Sequence, residues 1–134
     1  MANAIFTRAK QGMIVGEVTL STDEVRLILH DAADDTIVVG TDDYLNDIAA
    51  GGRVATSSAL ASKTVTSGAF DSADVTLSSV TGDQAEEVII YIHTGVETTS
   101  LLLAYYDTFA SGMPVTPNGG DITIAPNASG WFTL

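Results

Sequence analysis

Short runs rich in β-branched and aromatic residues recur along this sequence, and turn residues end each of them. They follow one another about every 8 to 12 residues, a spacing typical of an antiparallel sandwich rather than of alternating strands and helices. In "EVRLILH" (24–30), Val25, Leu27 and Leu29 fall on one side of an alternating pattern, which predicts a strand buried on one face. Further strands are predicted in "TIVV" (36–39), "RVATSSAL" (53–60), "KTVTSGAF" (63–70), "DVTLSSV" (74–80), "EVIIYIHTG" (87–95), "SLLLAYYDTF" (100–109) and "DITI" (121–124). The sequence therefore predicts an all-β, jelly-roll-like antiparallel β-sandwich of about eight short strands with one short helix.

The short helix is predicted in "TDDYLNDIAAGG" (41–52). A threonine and an aspartate at its start can cap a helix, and carboxylates in the first turn suit the positive end of the helix dipole. Tyr44, Leu45 and Ile48 form an apolar stripe, and the glycine pair at the end of the segment stops a helix.

Residues 1–16 differ from the β-rich remainder of the chain. Apolar side chains between Ile5 and Met13 recur at roughly helical spacing, which indicates a short helix or an ordered arm. We therefore divide the chain into an N-terminal arm or short helix (1–16) and a β-sandwich domain (17–134).

The last segment, "GMPVTPNGGDITIAPNASGWFTL" (112–134), consists of turns and two short strands. Asn118-Gly119 is a strong turn signal, and the sequon Asn127-Ala128-Ser129 is interpreted as a turn as well. Trp131 and Phe132 point to opposite faces of the final strand, so one can close the core while the other meets solvent or a partner. Burial of Trp131 is favoured.

The charge of the chain is one-sided, with 17 acidic and 5 basic side chains and a net charge of −12. All the bases lie within the first 63 positions. Such a surface repels phosphate and anionic lipid, so neither direct nucleic-acid binding nor membrane binding is expected. Only 16% of the residues are charged, against about 25% in a typical domain, which indicates either that another molecule covers part of the surface or that the outer faces of a compact β domain carry serine and threonine. Composition alone does not decide between the two.

The sequence contains no cysteine, and it shows neither a signal-peptide pattern nor an apolar run long enough to cross a membrane. We therefore expect a soluble protein without disulfides that is assembled in a reducing cytoplasm.

No pattern of residues points to catalysis or to a cofactor. His30 and His93 each end a strand, where a solvated imidazole is ordinary, and no serine lies in a Gly-x-Ser-x-Gly elbow. The pair Glu86-Glu87 is interpreted as a solvated strand entrance. We expect no catalytic residue and no cofactor.

Two clusters of carboxylates raise the question of a calcium site. Asp31, Asp34 and Asp35 lack the spacing and the glycine of an EF-hand loop, and the acids of segment 42–47 fit the first turn of a helix. We expect no dedicated metal site, although opportunistic cation binding between subunits stays open.

Several blocks of the sequence occur in an order that resembles a family of small tailed-bacteriophage virion structural proteins. These blocks are "YLNDI", "KTVTSGAFDSADVT", "VIIYIHTG" and "PVTPNGGDITI". The resemblance covers most of residues 17–134 and leaves residues 1–16 outside. It implies a location in a virion, assembly in a bacterial host, and no catalytic residues.

Within a virion, we expect a decoration (cement) protein that binds the outer surface of the major capsid shell, because an acidic protein suits the face away from packaged DNA. A trimer is expected, since shells offer threefold sites. Two alternatives stay open: a head–tail connector, tail or fibre-base protein, and a glycan-binding module, since many jelly rolls are lectins. The candidate protein-contact residues are Ile5, Phe6, Arg8, Lys10, Met13, Trp131 and Phe132. For the N-terminal arm, a helix packed on its own sandwich is an equal alternative.

Overall fold

The computed structural model describes residues 3–108 and 113–134 of the chain. Its strands are all paired antiparallel, which confirms the predicted all-β sandwich with one α-helix. The helix α1 covers Thr7–Val15. The strands are β1 (Ala4–Ile5), β2 (Val25–His30), β3 (Arg53–Thr56), β4 (Thr64–Thr66), β5 (Ala69–Asp71), β6 (Val75–Leu77), β7 (Glu87–Ile92), β8 (Leu102–Tyr106), β9 (Ile122–Ile124) and β10 (Phe132–Thr133).

A five-stranded sheet in the order β1-β8-β7-β2-β3 forms the centre of the molecule. Every residue of β7 and β8 is buried, so this sheet is covered on both faces. The continuous apolar runs "EVIIYI" and "LLAYY" explain this, because a strand that packs on both sides cannot alternate apolar and polar residues. Between β2 and β7 the register runs from Val25 opposite Ile92 to His30 opposite Glu87.

Two smaller sheets, β10-β5-β4 and β6-β9, form the second layer of the sandwich. Phe70, Ile124 and Trp131 of this layer belong to the same apolar core as the central sheet. A two-residue turn joins β4 to β5, and both of its residues have positive φ: 53° at Ser67 and 81° at Gly68. Positive φ at both central positions matches the right-handed twist of the two strands.

Neighbouring tyrosines of β8 connect the two faces of the central sheet. The hydroxyl of Tyr106 donates to the carbonyl of Trp131, and the amide of Trp131 donates to Phe70 in β5. The hydroxyl of Tyr105 instead donates to the carboxylate of Glu87. Because side chains alternate along a strand, Tyr106 faces the second layer and Tyr105 faces the opposite side of the sheet.

The prediction of a helix at 41–52 is wrong. This segment forms two short 3-10 turns, Leu45–Asp47 and Ala50–Gly52. Its backbone is bound to the chain before β8 instead: the amide of Leu45 donates to Ser100, and Asp43 accepts from Leu102. These tertiary hydrogen bonds hold the backbone open and outweigh the local helix signal.

The N-terminal arm is integrated into the sandwich among its described residues. β1 pairs with β8 at the edge of the central sheet, and the side chain of Phe6 is fully buried in the core. α1 follows and packs against β8, ending at Gly16 in a left-handed conformation with φ 81°. No helix in the described part of the chain is both long and apolar enough to span a bilayer.

Three other strand predictions change. The run 63–70, predicted as one strand, forms β4 and β5 with a turn at Ser67 and Gly68 between them. The run 36–39 forms no strand, although Ile37 is buried in the core. The strand predicted at 100–109 is observed as β8, and its last predicted residue, Phe109, lies outside the described residues.

Candidate functional site

The candidate contact residues lie in several different places. Phe6 and Trp131 are buried in the core of the chain itself, so their rings are not presented to a partner. The guanidinium of Arg8 pairs with Glu17 at 2.6 Å and lies over the ring of Tyr44. Lys10 is exposed on α1. The remaining three residues, Ile5, Met13 and Phe132, each line a surface cavity.

The first cavity is an apolar groove of about 310 Å³ between the end of α1 and β4. We call it the helix–strand groove, and its lining residues are Met13, Val18, Thr19, Leu20, Ser21, Val65 and Leu134. Val65 and Leu134 of this lining are 53% and 72% exposed. Aliphatic side chains left this far in solvent and grouped around a groove are typical of an interaction surface.

Strand β4 forms one edge of its sheet and pairs only with β5. All of its residues are exposed. The amide and carbonyl of an edge residue that point away from the sheet are free to pair with another strand. The helix–strand groove therefore adjoins an edge that can accept one.

Most basic side chains bind groups of the chain itself. Four of the five basic side chains have an acidic or carbonyl partner: Arg8–Glu17, Arg26–Glu24, Arg53–Glu97 and Lys63 with the carbonyl of Asp23. The two guanidinium hydrogen bonds from Arg53 lower the pKa of the Glu97 carboxyl below its usual value. The 17 acidic side chains outnumber the 5 basic ones, which gives the molecule its net charge of −12.

A second cavity of about 270 Å³ lies between β1 and β10 and brings together Ile5, Trp131 and Phe132. Asn3, Asn127 and Thr133 add polar groups to its wall. A sugar site stacks a pyranose on an exposed aromatic face, but Trp131 is 3% exposed and only Phe132 is half-buried. Asn127 forms a turn with Gly130, as the sequence predicted.

The solvated position predicted for His30 is wrong. Its ring is fully buried and lies between two carboxylates: Nδ1 is 2.8 Å from Oε1 of Glu87, and Nε2 is 3.0 Å from Oδ2 of Asp35. Glu87 is also buried, not a solvated strand entrance, and its second oxygen accepts from the hydroxyl of Tyr105. His93, by contrast, keeps a side chain that is 29% exposed.

The Asp35–His30–Glu87 cluster places a carboxylate oxygen within hydrogen-bond distance of each ring nitrogen of His30. A carboxylate without a proton can only accept a hydrogen bond, so the imidazole is the side chain of the three that can donate.

The cluster is enclosed, which limits its chemistry. Gly52 packs directly over the ring, since a Cβ there would lie 2.9 Å from Nε2 of His30. The amide of Ala49 donates to Asp35 at 3.2 Å and closes the same side. With no exposed atom, the ring cannot touch a substrate, so the cluster acts as a structural link between β2, β7, β8 and the 31–35 turn.

The acidic side chains largely serve the backbone. Asp42 accepts from the amide of Val38, and Asp47 accepts from Asp43 and Tyr44. Burial raises the pKa of the Asp42 carboxyl above its usual value. Carboxylate oxygens of Asp31, Asp34 and Asp83 come within 4.8 Å of one another. The carboxylate of Asp31 also accepts from the amide of Ala33 within the turn.

The sequence carries a signal that could have indicated the buried cluster. His30 ends one apolar strand and Glu87 begins another, and antiparallel pairing of such strands places the two residues opposite each other. Two polar side chains buried between such strands then have to form hydrogen bonds with each other.

Comparison of the chain with protein-family models and with curated proteins gives no match.

Proposed function

We propose that this chain is a non-enzymatic structural protein of a tailed-phage virion, and that it decorates the outer surface of the major capsid shell. The observation that carries the proposal is the helix–strand groove, whose apolar lining includes the exposed side chains of Val65 and Leu134, on a chain whose charged residues are few and mostly acidic. A surface of this composition supports a role in binding another protein. The resemblance of residues 17–134 to virion structural proteins supports the location.

The charge of the molecule supports the outer face of a shell over its inner face. At −12, it repels packaged DNA, and the internal pairing of its bases leaves few cations to offset that repulsion.

Such a protein stabilises the shell by mass action. A partner that binds only the assembled lattice adds about 2.7 kcal/mol per site at a free concentration of 100 Kd. Symmetry repeats that gain over every equivalent site of the shell. No catalytic group is needed, and the one buried histidine is enclosed within the sandwich.

Neither alternative role has a specific observation in its favour. The aromatic cavity between β1 and β10 offers only part of the Phe132 ring for stacking, which gives little support to glycan binding. A connector or tail protein would use the same kind of surface at a lower copy number.

The test is a copy count in purified virions combined with the heat and osmotic resistance of shells that lack the protein. A decoration protein is expected on the order of hundreds of copies per particle, because it occupies symmetry-related sites over the whole shell. Its removal should lower the temperature at which the shell opens. A count of a dozen or fewer, with shells of unchanged resistance, would contradict the proposal and favour a neck or tail position.

A further inference from the structure

We propose that the open edge of β4 accepts an extended, basic segment of the partner protein as an added strand. One aliphatic side chain of that segment enters the helix–strand groove. The inference rests on the proposed function, since it names the surface by which a decoration protein would hold its shell, but its test does not require the shell.

The backbone of β4 is oriented for strand addition. In β5, Phe70 directs its carbonyl toward β10, where it accepts from Trp131 at 2.7 Å. Val65 is the residue opposite Phe70, and facing residues of such a pair direct their backbone groups away from each other. The amide and carbonyl of Val65 therefore point to the open side, where no strand of the described chain pairs.

The groove beside this edge supplies the side-chain part of the site. Val65 forms one wall, and Met13, Val18 and Leu20 form the others. In strand addition, main-chain hydrogen bonds provide affinity, and pockets for alternate side chains provide specificity. An aliphatic side chain suits a groove whose lining includes no charged side chain among the described residues.

Charge selects a basic partner over a second copy of this chain. Pairing β4 with β4 of another copy would bring together two molecules of −12 through a three-residue strand. Asp71 lies opposite Thr64 at one end of the edge, where Lys63 donates to the backbone carbonyl of Asp23, so two acidic residues stand against one lysine there. A segment with lysine or arginine beside its aliphatic residue gains from this field on approach and when bound.

The probe is a short synthetic peptide of alternating valine and threonine with a lysine at each end, compared with the same peptide carrying glutamate at each end. Amide resonances of the isotope-labelled full chain are followed by NMR during titration. The expected result is a shift of the Val65 amide and of the groove methyl groups, with the lysine peptide bound several-fold more tightly at low salt. The preference should shrink as ionic strength rises.

Two variants test the strand edge and the groove separately. Val65→Lys places a charge in the groove and should weaken binding of the lysine peptide at least about tenfold. Val65→Pro removes the outward amide, which β4 does not use in its own sheet, while it keeps an apolar side chain at the groove, and it should weaken binding while the fold is kept. Val96→Lys is the matched control, because Val96 is 55% exposed in a different loop, and it should bind like the parent chain.

Unchanged β4 resonances with both peptides, or equal binding by Val65→Lys and the parent, would overturn the inference. A self-associated parent that Val65→Lys converts to a monomer would also overturn it, since the occupant would then be a second copy. If the parent binds the peptide at Val65 but never binds shells, the edge is confirmed as a strand acceptor and the proposed function fails on its own.

Discussion

His30→Leu tests the buried cluster most directly. The substitution removes both ring nitrogens that face Glu87 and Asp35 and places an apolar side chain of similar size in the core. Two carboxylates are then left in a site where the side chains of Glu87 and Asp35 are only 10% and 14% exposed. We expect a large loss of folding stability, because the remaining charges have lost their compensation.

The size of the loss follows from the geometry. Removing one partner of a buried ion pair typically costs about 3 to 5 kcal/mol, and here one ring serves two carboxylates. The hydroxyl of Tyr105 still donates a hydrogen bond to the carboxylate of Glu87, which therefore keeps one partner. The expected cost is for this reason at the lower end of that range. For a domain of this size, the loss corresponds to a fall in Tm of roughly 10 °C or more.

The measurement is urea unfolding at neutral pH, with a double-mutant cycle that includes Glu87→Gln. In the parent chain, Glu87→Gln should cost on the order of 1 to 2 kcal/mol because it weakens a charge-assisted hydrogen bond. In the His30→Leu background it should cost nothing or restore stability, since it removes an uncompensated buried charge. His93→Leu is the matched control: the side chain is partly exposed and its Nε2 lies 3.8 Å from Glu24.

Two results would refute this account. A loss below about 1 kcal/mol for His30→Leu would mean that the two carboxylates find other compensation. Additive costs for His30→Leu and Glu87→Gln would mean that the residues do not interact, whatever their distance in the structure.

Other predictions concern the packing of Gly52 and the two buried tyrosines of β8. Gly52→Ala should destabilise the fold by about 1 to 3 kcal/mol in denaturant unfolding, since its Cβ would lie 2.5 Å from the Cβ of Asp35; an unchanged midpoint would contradict this packing. Burial raises the pKa of Tyr105 and Tyr106 above the ordinary value of 10.0, and for Tyr105 the hydrogen bond to a carboxylate adds to this effect. The neutral phenols favour the folded state, so their contribution should be complete below about pH 10 and lost as the pH rises further. Denaturant unfolding across that pH range checks the direction, and phenolate absorbance should appear with unfolding rather than before it.

The central strands could be predicted because their signal is local. The runs that form β7 and β8 are apolar throughout and bounded by turn residues, so neither tertiary contacts nor charge had to be known. Segment 41–52 had an equally clear local signal, but its backbone found hydrogen bonds with residues near position 100. Local propensity decides a segment only where no distant partner competes for its backbone.

The candidate surface could be predicted only in part. Met13 was expected to contact a partner, and it lines the helix–strand groove. Val65 was not expected to do so, because the groove combines residues from the helix, the following loop, a hairpin and the last described position. No periodicity within one segment indicates such a combination. The buried His30 cluster was missed for the same reason, since Glu87 is 57 positions away.

Strand β8 determines how a mechanical force is distributed within this chain. Its adjacent tyrosines are anchored in opposite directions, Tyr105 to the polar cluster and Tyr106 to the layer that contains Trp131. A force applied to the β4–β5 hairpin is therefore transmitted through Trp131 and Tyr106 to the central sheet. From there it reaches the N-terminal strand β1, which is paired with β8. A force applied to one layer is thereby shared between both layers of the sandwich.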